Sequence, residues 1–220
     1  MTARARGRRP ALAPADRSTA AADRDVGSDA RTRHRIFVAV EIAPHIKGVL
    51  SELPSRLGTA SRMLRWVPPG NLHLTLKFLG GITAGQTARV AEAAREAART
   101  TVPFSVTLAG LGAFPSPRRP RVVWVGLADG ADRLIALARA LEEETSRRKF
   151  PRESRPFQPH LTVARLRSGS PSRDLTADFA NSGVAVIGAQ DVTALVVMES
   201  FLHPSGPEYR EVAQAPLGLG

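Results

Sequence analysis

A short motif occurs twice in the chain, and each copy lies in a segment with the pattern of a β-strand. His73-Leu-Thr-Leu76 stands in the first half and His160-Leu-Thr-Val163 in the second. Residues i and i+2 of a strand point to the same face, so each motif places its imidazole and its hydroxyl together. The aliphatic residues of each motif then form the opposite, buried face. The fold must therefore contain two equivalent strands, each with one polar and one apolar side.

The rest of the chain mixes strands and helices without a regular alternation. Strands are predicted at 35–42, 64–67, 72–79, 104–111, 121–127, 160–166, 184–187, 195–201 and 209–213, and helices from Pro44 and over 83–100, 129–149 and 170–181. A parallel sheet would require a regular βαβ order. We therefore predict an α+β fold with largely antiparallel sheets. The Pro-rich segment 114–120 is predicted as a loop, and Trp66, Phe78 and Trp124 as core residues.

Composition separates the first 33 residues from the rest. They contain eight Arg and four Asp, no aromatic residue and only two branched aliphatic residues. Such a segment cannot bury enough apolar surface to offset the entropy that it loses on ordering. We predict a disordered Arg-rich tail at 1–33, a folded domain at 34–216 and a short C-terminal tail at 217–220.

The net charge of +11 favours an anionic partner. Arginine supplies 28 of the 31 basic residues. A guanidinium group matches phosphate geometry and stays charged, so a phosphate-bearing ligand is favoured. Enrichment of arginine through a GC-rich genome explains the composition equally well, and charge alone selects no reaction.

The absence of two features narrows the function further. The chain has no cysteine, which excludes disulfides, Cys-based zinc sites and thiol nucleophiles. No apolar run approaches the roughly 20 residues that span a bilayer. We therefore expect a cytoplasmic protein without membrane contact.

Two imidazoles and two hydroxyls suit the metal-free hydrolysis of a phosphodiester. Imidazole titrates near neutrality, so one neutral His can accept a proton while a protonated partner donates one. Threonine hydroxyls can donate hydrogen bonds to the phosphate oxygens. Two alternatives stay open: strand packing with a solvated polar face, and a zinc site. No carboxylate lies at a useful spacing beside either motif, so we expect no metal.

Several motifs, in order along the chain, resemble those of the 2H (two-histidine) phosphoesterases. The most similar branch is that of the RNA 2′,3′-cyclic phosphodiesterases, historically called 2′-5′ RNA ligases. The resemblance covers about residues 35–213 and rests on Arg35-Ile-Phe-Val-Ala-Val40, Trp66-Val67, Leu72-His-Leu-Thr-Leu-Lys-Phe-Leu-Gly80, Phe114-Pro-Ser116, Pro120-Arg-Val-Val-Trp-Val-Gly126, Phe157-Gln-Pro-His-Leu-Thr-Val-Ala-Arg165, Glu199-Ser-Phe-Leu202 and Gly206-Pro-Glu-Tyr209. It implies a bilobal fold: two pseudo-symmetric, interleaved lobes around a central cleft, each with one histidine strand.

The resemblance also implies an activity and roles for the motif residues. The activity is the opening of a 2′,3′-cyclic phosphate at an RNA end to a 2′-phosphate, with no cofactor. His73 would donate a proton to the departing 3′ oxygen and His160 would activate water, while Thr75 and Thr162 would hold the phosphate. The spacing of the motifs does not decide which His is the acid; that assignment rests on the resemblance alone.

Three further residues are candidates for substrate contact. Arg165 belongs to the second motif segment and is a candidate for phosphate binding, but strand alternation puts it opposite His160 unless a bulge intervenes. By strand alternation Lys77 lies on the same face as His73, and it is expected to extend the positive potential of the cleft. Phe157 is placed to stack on a base. Each also has a structural alternative, as a surface or a core residue.

Other functions remain open from the sequence alone. They are hydrolysis of small cyclic nucleotides, 2′-5′ RNA ligation as the same chemistry reversed, and binding of RNA ends without catalysis. We expect a monomer whose partner is RNA with a 2′,3′-cyclic phosphate terminus.

Overall fold

The computed structural model describes residues 32–170, 173–204 and 206–218. The expected tail at 1–33 therefore falls almost wholly outside the described residues. At one end of the described chain, the Arg33 guanidinium donates a hydrogen bond to the Gly81 carbonyl, 2.9 Å away. At the other end, Leu217 is buried and its N–H donates to the Thr193 carbonyl at 2.8 Å.

The described residues form nine strands and five α-helices. The strands are β1 (His34–Glu41), β2 (Leu64–Trp66), β3 (His73–Ile82), β4 (Phe104–Ser116), β5 (Arg119–Asp129), β6 (Leu161–Leu166), β7 (Val186–Val192), β8 (Ala194–His203) and β9 (Gly206–Pro216). The α-helices are α1 (Pro44–Leu50), α2 (Leu53–Arg56), α3 (Ala84–Arg99), α4 (Ala131–Arg147) and α5 (Thr176–Asn181), and short 3-10 helices cover Gly58–Met63 and Pro69–Asn71.

The strands form two sheets, and each sheet contains strands from both halves of the chain. One sheet has the order β3-β1-β8-β9 and the other β2-β6-β5-β4-β7. Every strand pairing in both sheets is antiparallel. The predicted α+β fold with antiparallel sheets is confirmed. The first histidine motif lies on β3 in the four-stranded sheet, and the second lies at the start of β6 in the five-stranded sheet.

Strand β1 is buried on both faces because a separate cluster of side chains covers each face. Ile36 and Val38 point into the main hydrophobic core. Phe37 and Ala39 point the other way and pack with Val196 in a second, smaller cluster. This second cluster underlies the cleft between the sheets and gives that side of the cleft a firm apolar floor.

Helix α3 closes one side of the core with a stripe of alanines. Thr83 caps it reciprocally: its hydroxyl accepts from the Gln86 N–H, and the Gln86 side chain accepts from the Thr83 N–H. Small buried residues let α3 approach α4 and β9 closely. None of the helices in the described part of the chain is long and apolar enough to cross a membrane.

The Pro-rich segment predicted as a loop is instead the end of a long hairpin. Strand β4 continues to Ser116 and β5 begins at Arg119, so only two residues form the turn between them. Pro115 and Pro120 face each other there. The neighbouring strands pair with the hairpin only further down, at 104–109 and 122–125. The missing proline N–H groups therefore cost no hydrogen bond to a third strand, and the loop prediction is wrong.

Candidate active site

The two motif histidines are fixed in the same way. The Nδ1–H of His73 donates to the Asn71 carbonyl at 2.8 Å, and that of His160 donates to the Gln158 carbonyl at 2.7 Å. In each case the acceptor lies two residues before the His. A carbonyl oxygen only accepts, so Nδ1 must carry the hydrogen in each ring. Nε2 is therefore the nitrogen left to exchange a proton.

Aromatic rings hold each imidazole in place. The His73 ring packs on Phe37, with centroids 4.7 Å apart, and meets Tyr209 edge-on at 5.2 Å. The His160 ring meets Phe114 edge-on at 4.9 Å and lies 6.5 Å from Trp124. Such contacts restrict the rotation of both rings.

The ring of Trp124 requires a glycine on the neighbouring strand. A Cβ at Gly112 would lie 2.2 Å from the Trp124 ring, and the two residues face each other across β4 and β5. Trp124 is only partly buried and pairs with Thr162 across β5 and β6, which puts it on the same side of the sheet as Thr162, next to His160. Its prediction as a core residue is therefore wrong: it supports the site rather than the core.

Both motifs line one cleft between the sheets. The cleft has a volume of about 1970 Å³, and His73, Thr75, His160 and Thr162 all contribute to its wall. Although they belong to different sheets, the backbones of β3 and β6 approach within 8 Å of each other. All four residues are half-buried. The predicted shared face of His and Thr is present in both strands.

A β-bulge follows each His-x-Thr, at the same place in both motifs. In β3 the pairing with β1 skips Leu76, and in β6 the pairing with β5 skips Val163. An extra residue in one strand reverses the alternation beyond it. The fifth residue of each motif segment therefore turns inward, and the sixth reaches the cleft.

The bulge in β3 overturns the prediction for Lys77. Its side chain is only 2% exposed, and its ammonium group donates to Glu142 Oε2 at 2.5 Å and to the Pro151 carbonyl at 3.0 Å. Lys77 is still among the residues that line the cleft, but its charge is paired with that of Glu142 and is not available to an anion there. Lys77 does not share the face of His73 because Leu76 is the extra residue of the bulge.

Phe78 takes the place expected for Lys77. It is 63% exposed and lines the cleft. The prediction of a core position is wrong for the same reason, since the bulge moves it to the face that His73 and Thr75 share. A large exposed aromatic ring beside polar groups is a typical feature of a binding surface.

Arg165 and Phe157 both line the cleft, as their candidate roles require. The bulge at Val163 brings Arg165 to the same face of β6 as Thr162. Simple alternation would have placed it on the opposite face. Arg165 is exposed, and its charge acts on Tyr209 across the cleft. Phe157 is half-buried and also packs against the main core.

Burial perturbs two ionisable groups of the site. Desolvation lowers the pKa of His73, and the nearby charge of Lys47 lowers it as well, while the hydrogen bond to Asn71 acts in the opposite direction. Burial raises the pKa of Tyr209, against the charges of Arg165 and Arg35. Among the residues that the structure describes, no three His, Asp or Glu side chains cluster as a metal site requires.

Two residues of the site escape the sequence reasoning. Phe37 packs against His73. Its sequence signal is that it alternates with the core residues Ile36 and Val38, so it must point to the other face of the strand. Arg65 lines the cleft from β2, directly opposite Arg165 on β6. Its only sequence signal is a charge within the apolar run that forms this short strand.

Two interleaved antiparallel sheets, each with one His-x-Thr strand facing a common cleft, define a phosphoesterase of the two-histidine class. The family model described as LigT like Phosphoesterase matches the chain twice, over residues 40–124 and 125–207. Together these matches cover most of the described chain. The protein therefore belongs to the LigT-like phosphoesterase family.

Curated relatives and a solved structure agree with this assignment. An Aquifex aeolicus protein named RNA 2′,3′-cyclic phosphodiesterase is 34% identical over 157 residues, 71% of this chain and 83% of the relative. A Methanothermobacter thermautotrophicus protein of the same name is 34% identical over 179 residues, 81% of this chain and 96% of the relative. A crystal structure of TT0787 of Thermus thermophilus superposes with a TM-score of 0.70 at 27% identity, covering 84% of this chain and 100% of that one.

Proposed function

We propose that this protein is an RNA 2′,3′-cyclic phosphodiesterase that opens cyclic ends to 2′-phosphate ends without a metal. The observation that carries the proposal is the pair of equivalent imidazoles in one cleft, each fixed through Nδ1 with Nε2 left to exchange a proton. The name shared by relatives that are 34% identical supports the same substrate class. Both histidines come from one chain, so the proposed site needs no second copy, which favours a monomer.

The reaction balances with two proton transfers. Neutral His160 takes a proton from water through Nε2 as the water oxygen bonds to phosphorus. The bond from phosphorus to the 3′ oxygen breaks, and Nε2 of protonated His73 gives its proton to that oxygen. His160 ends protonated and His73 neutral, and exchange with solvent restores the starting state.

The hydroxyls beside the histidines are proposed to hold the phosphate. Thr75 and Thr162 lie two residues after their histidines and face the same cleft. Their hydroxyls donate to nonbridging oxygens, where negative charge increases as water attacks. Arg165 faces the cleft one position further along β6, where its guanidinium group is proposed to bind phosphate by charge-assisted hydrogen bonds.

Two aromatic rings of the cleft are proposed to contact the terminal base. Phe78 presents an exposed ring next to Thr75, and Phe157 presents a half-buried one near His160. Every base has a π-face, so stacking on such rings is tolerant of sequence. The protein would then act on RNA ends of varied sequence.

The direct test is an end-group assay with the full chain. An RNA oligonucleotide that ends in a 2′,3′-cyclic phosphate is incubated with the protein in excess chelator, and the new end is identified by mass and by sensitivity to phosphatase. We expect a 2′-phosphate. A 3′-phosphate would contradict the proposed bond cleavage, and binding without any single-turnover product would favour a non-catalytic RNA-end-binding protein.

The lowered pKa of His73 predicts a coupling between protonation and phosphate binding. In the free protein the His73 proton is lost below the ordinary value of 6.5, because burial disfavours the charged ring. A phosphate anion beside the ring favours the protonated form and should raise the pKa. NMR titration of the imidazole signals between about pH 5 and pH 8, without and with a cyclic phosphonate analogue, measures both effects.

The sign of the linkage gives a second readout. Because the analogue raises the pKa of His73, its affinity should increase as the pH falls through the interval between the free and bound values. The analogue keeps one negative charge throughout, so its own titration does not interfere. A free midpoint at or above 6.5 would contradict the lowered pKa of His73, and an affinity that does not change with pH would contradict the coupling between its protonation and phosphate binding.

A further inference from the structure

Two arginines face each other across neighbouring strands at the edge of the cleft. Arg65 on β2 is the direct cross-strand partner of Arg165 on β6, and both are exposed and line the cleft. Like charges directly opposite each other in a sheet are destabilising. This arrangement is unfavourable in the free protein and becomes favourable when an anion lies between the two guanidinium groups.

The cleft contains an excess of unpaired positive charge. Of the carboxylates that line it, Glu142 is paired with Lys77 and Glu208 with Arg210, which leaves only Glu153. No ion pair formed within the described residues includes any of five arginines that line the cleft: Arg35, Arg65, Arg121, Arg155 and Arg165. A concave surface with one predominant sign of charge concentrates anions of the opposite sign.

The arginine pair lies beside the place of the reacting phosphate rather than on it. Because of the bulge, Thr162 and Arg165 occupy successive cleft-facing positions, roughly 7 Å apart along the strand. Arg65 lies one strand further out, about 4.8 Å from β6, and is paired with Arg165 and not with Thr162. The pair is therefore placed for a second phosphate.

We propose that Arg65 and Arg165 bind the phosphodiester on the 5′ side of the terminal nucleotide. This inference rests on the proposed function, in which the cyclic phosphate is the 3′ end of the chain. All other phosphates of such an RNA lie on the 5′ side, so a second phosphate subsite selects an oligonucleotide over a single cyclic nucleotide. The substrate class is then an RNA of at least two nucleotides.

Three substrates separate the two phosphate positions. The first is a nucleoside 2′,3′-cyclic phosphate, which has no other phosphate. The second is a dinucleotide with the same cyclic end, and the third is that dinucleotide with a neutral methylphosphonate in place of the internal phosphodiester. We expect kcat/KM of the wild type to be about tenfold higher for the second substrate than for the third, since one charge-assisted contact pair is lost.

The variant Arg65→Ala should remove most of this preference. The tenfold difference between the two dinucleotides should shrink to about twofold. The matched control is Arg95→Ala, an exposed arginine of α3 that lies outside the cleft, and it should keep the full difference. An Arg65→Ala variant that retains the preference, or that lowers kcat/KM equally for all three substrates, would overturn the subsite.

Direct binding of the two dinucleotides separates this proposal from the proposed function. Binding does not depend on turnover, so it reports the subsite even if no cyclic end is opened. A preference of about tenfold in Kd without turnover would support the subsite and reject the proposed function. Turnover of both dinucleotides with equal Kd and equal kcat/KM would keep the function and reject the subsite.

Discussion

Replacement of either cleft histidine by alanine should lower the rate of cyclic-phosphate opening by about 10²–10⁴-fold, but only one of the two losses should be repaired by a better leaving group. The diagnostic substrate carries sulfur in place of the bridging 3′ oxygen. A thiolate leaves without protonation, because a thiol is far more acidic than an alcohol. His73→Ala should therefore recover to within about tenfold of the wild type on this substrate. His160→Ala should stay slow, since water still needs a base.

Two comparisons make this experiment decisive. The control variant is His45→Ala, which removes an exposed imidazole of α1 outside the cleft and should leave both rates near those of the wild type. Thermal unfolding shows whether each variant is folded. Recovery of His160→Ala instead of His73→Ala would exchange the two roles. Full activity of a folded double variant would reject the site.

The second large effect concerns stability, and we expect it from the buried ion pair below the first motif. Lys77→Met should lower the free energy of unfolding by about 3 kcal/mol, because it leaves the Glu142 carboxylate without its cation. Lys77 also donates to the Pro151 carbonyl, and Glu142 Oε1 accepts from the Glu153 N–H at 3.0 Å. The pair therefore fastens the segment that leads to the second motif, as well as closing the core.

A double-mutant cycle in urea tests this interpretation. Replacing both partners, as in Lys77→Met with Glu142→Leu, should recover most of the loss, because no buried charge is left alone. The matched control is the surface pair of Arg139 and Glu143 on the same helix, 3.5 Å apart and largely exposed. Arg139→Ala should cost about 0–1 kcal/mol. Equal losses for Lys77→Met and Arg139→Ala would show that burial adds nothing to the Lys77 pair.

The sequence predicts the centre of the site better than its surroundings, and the bulges explain why. Alternation holds from His73 to Thr75 and from His160 to Thr162, so the shared faces follow from the motif alone. It fails beyond Leu76 and Val163, because a bulge is set by the pairing with a neighbouring strand. An ordinary aliphatic residue in a strand gives no signal of a bulge. The sequence therefore assigns Lys77 to the cleft and Phe78 to the core, the reverse of their positions in the structure.

The fold class is predictable for a different reason. Antiparallel sheets follow from the irregular order of strands and helices, which extends over the whole chain and tolerates errors at the ends of individual elements. The hairpin of β4 and β5 shows the limit of local signals. Proline argues against a strand only where a neighbouring strand needs its N–H, and whether a third strand extends far enough to pair with Pro115 is decided by the sheet.

The matching bulges have a consequence for how the cleft reads the direction of a nucleic acid strand. Two equivalent His-x-Thr pairs would by themselves treat both orientations of a strand alike. Beyond the bulges the walls differ, with a flat apolar ring at Phe78 on one side and a cation at Arg165 on the other. An RNA end that places a base against Phe78 and a negative charge against Arg165 therefore fits in one orientation only. The cleft thus has a polarity that its central groups lack.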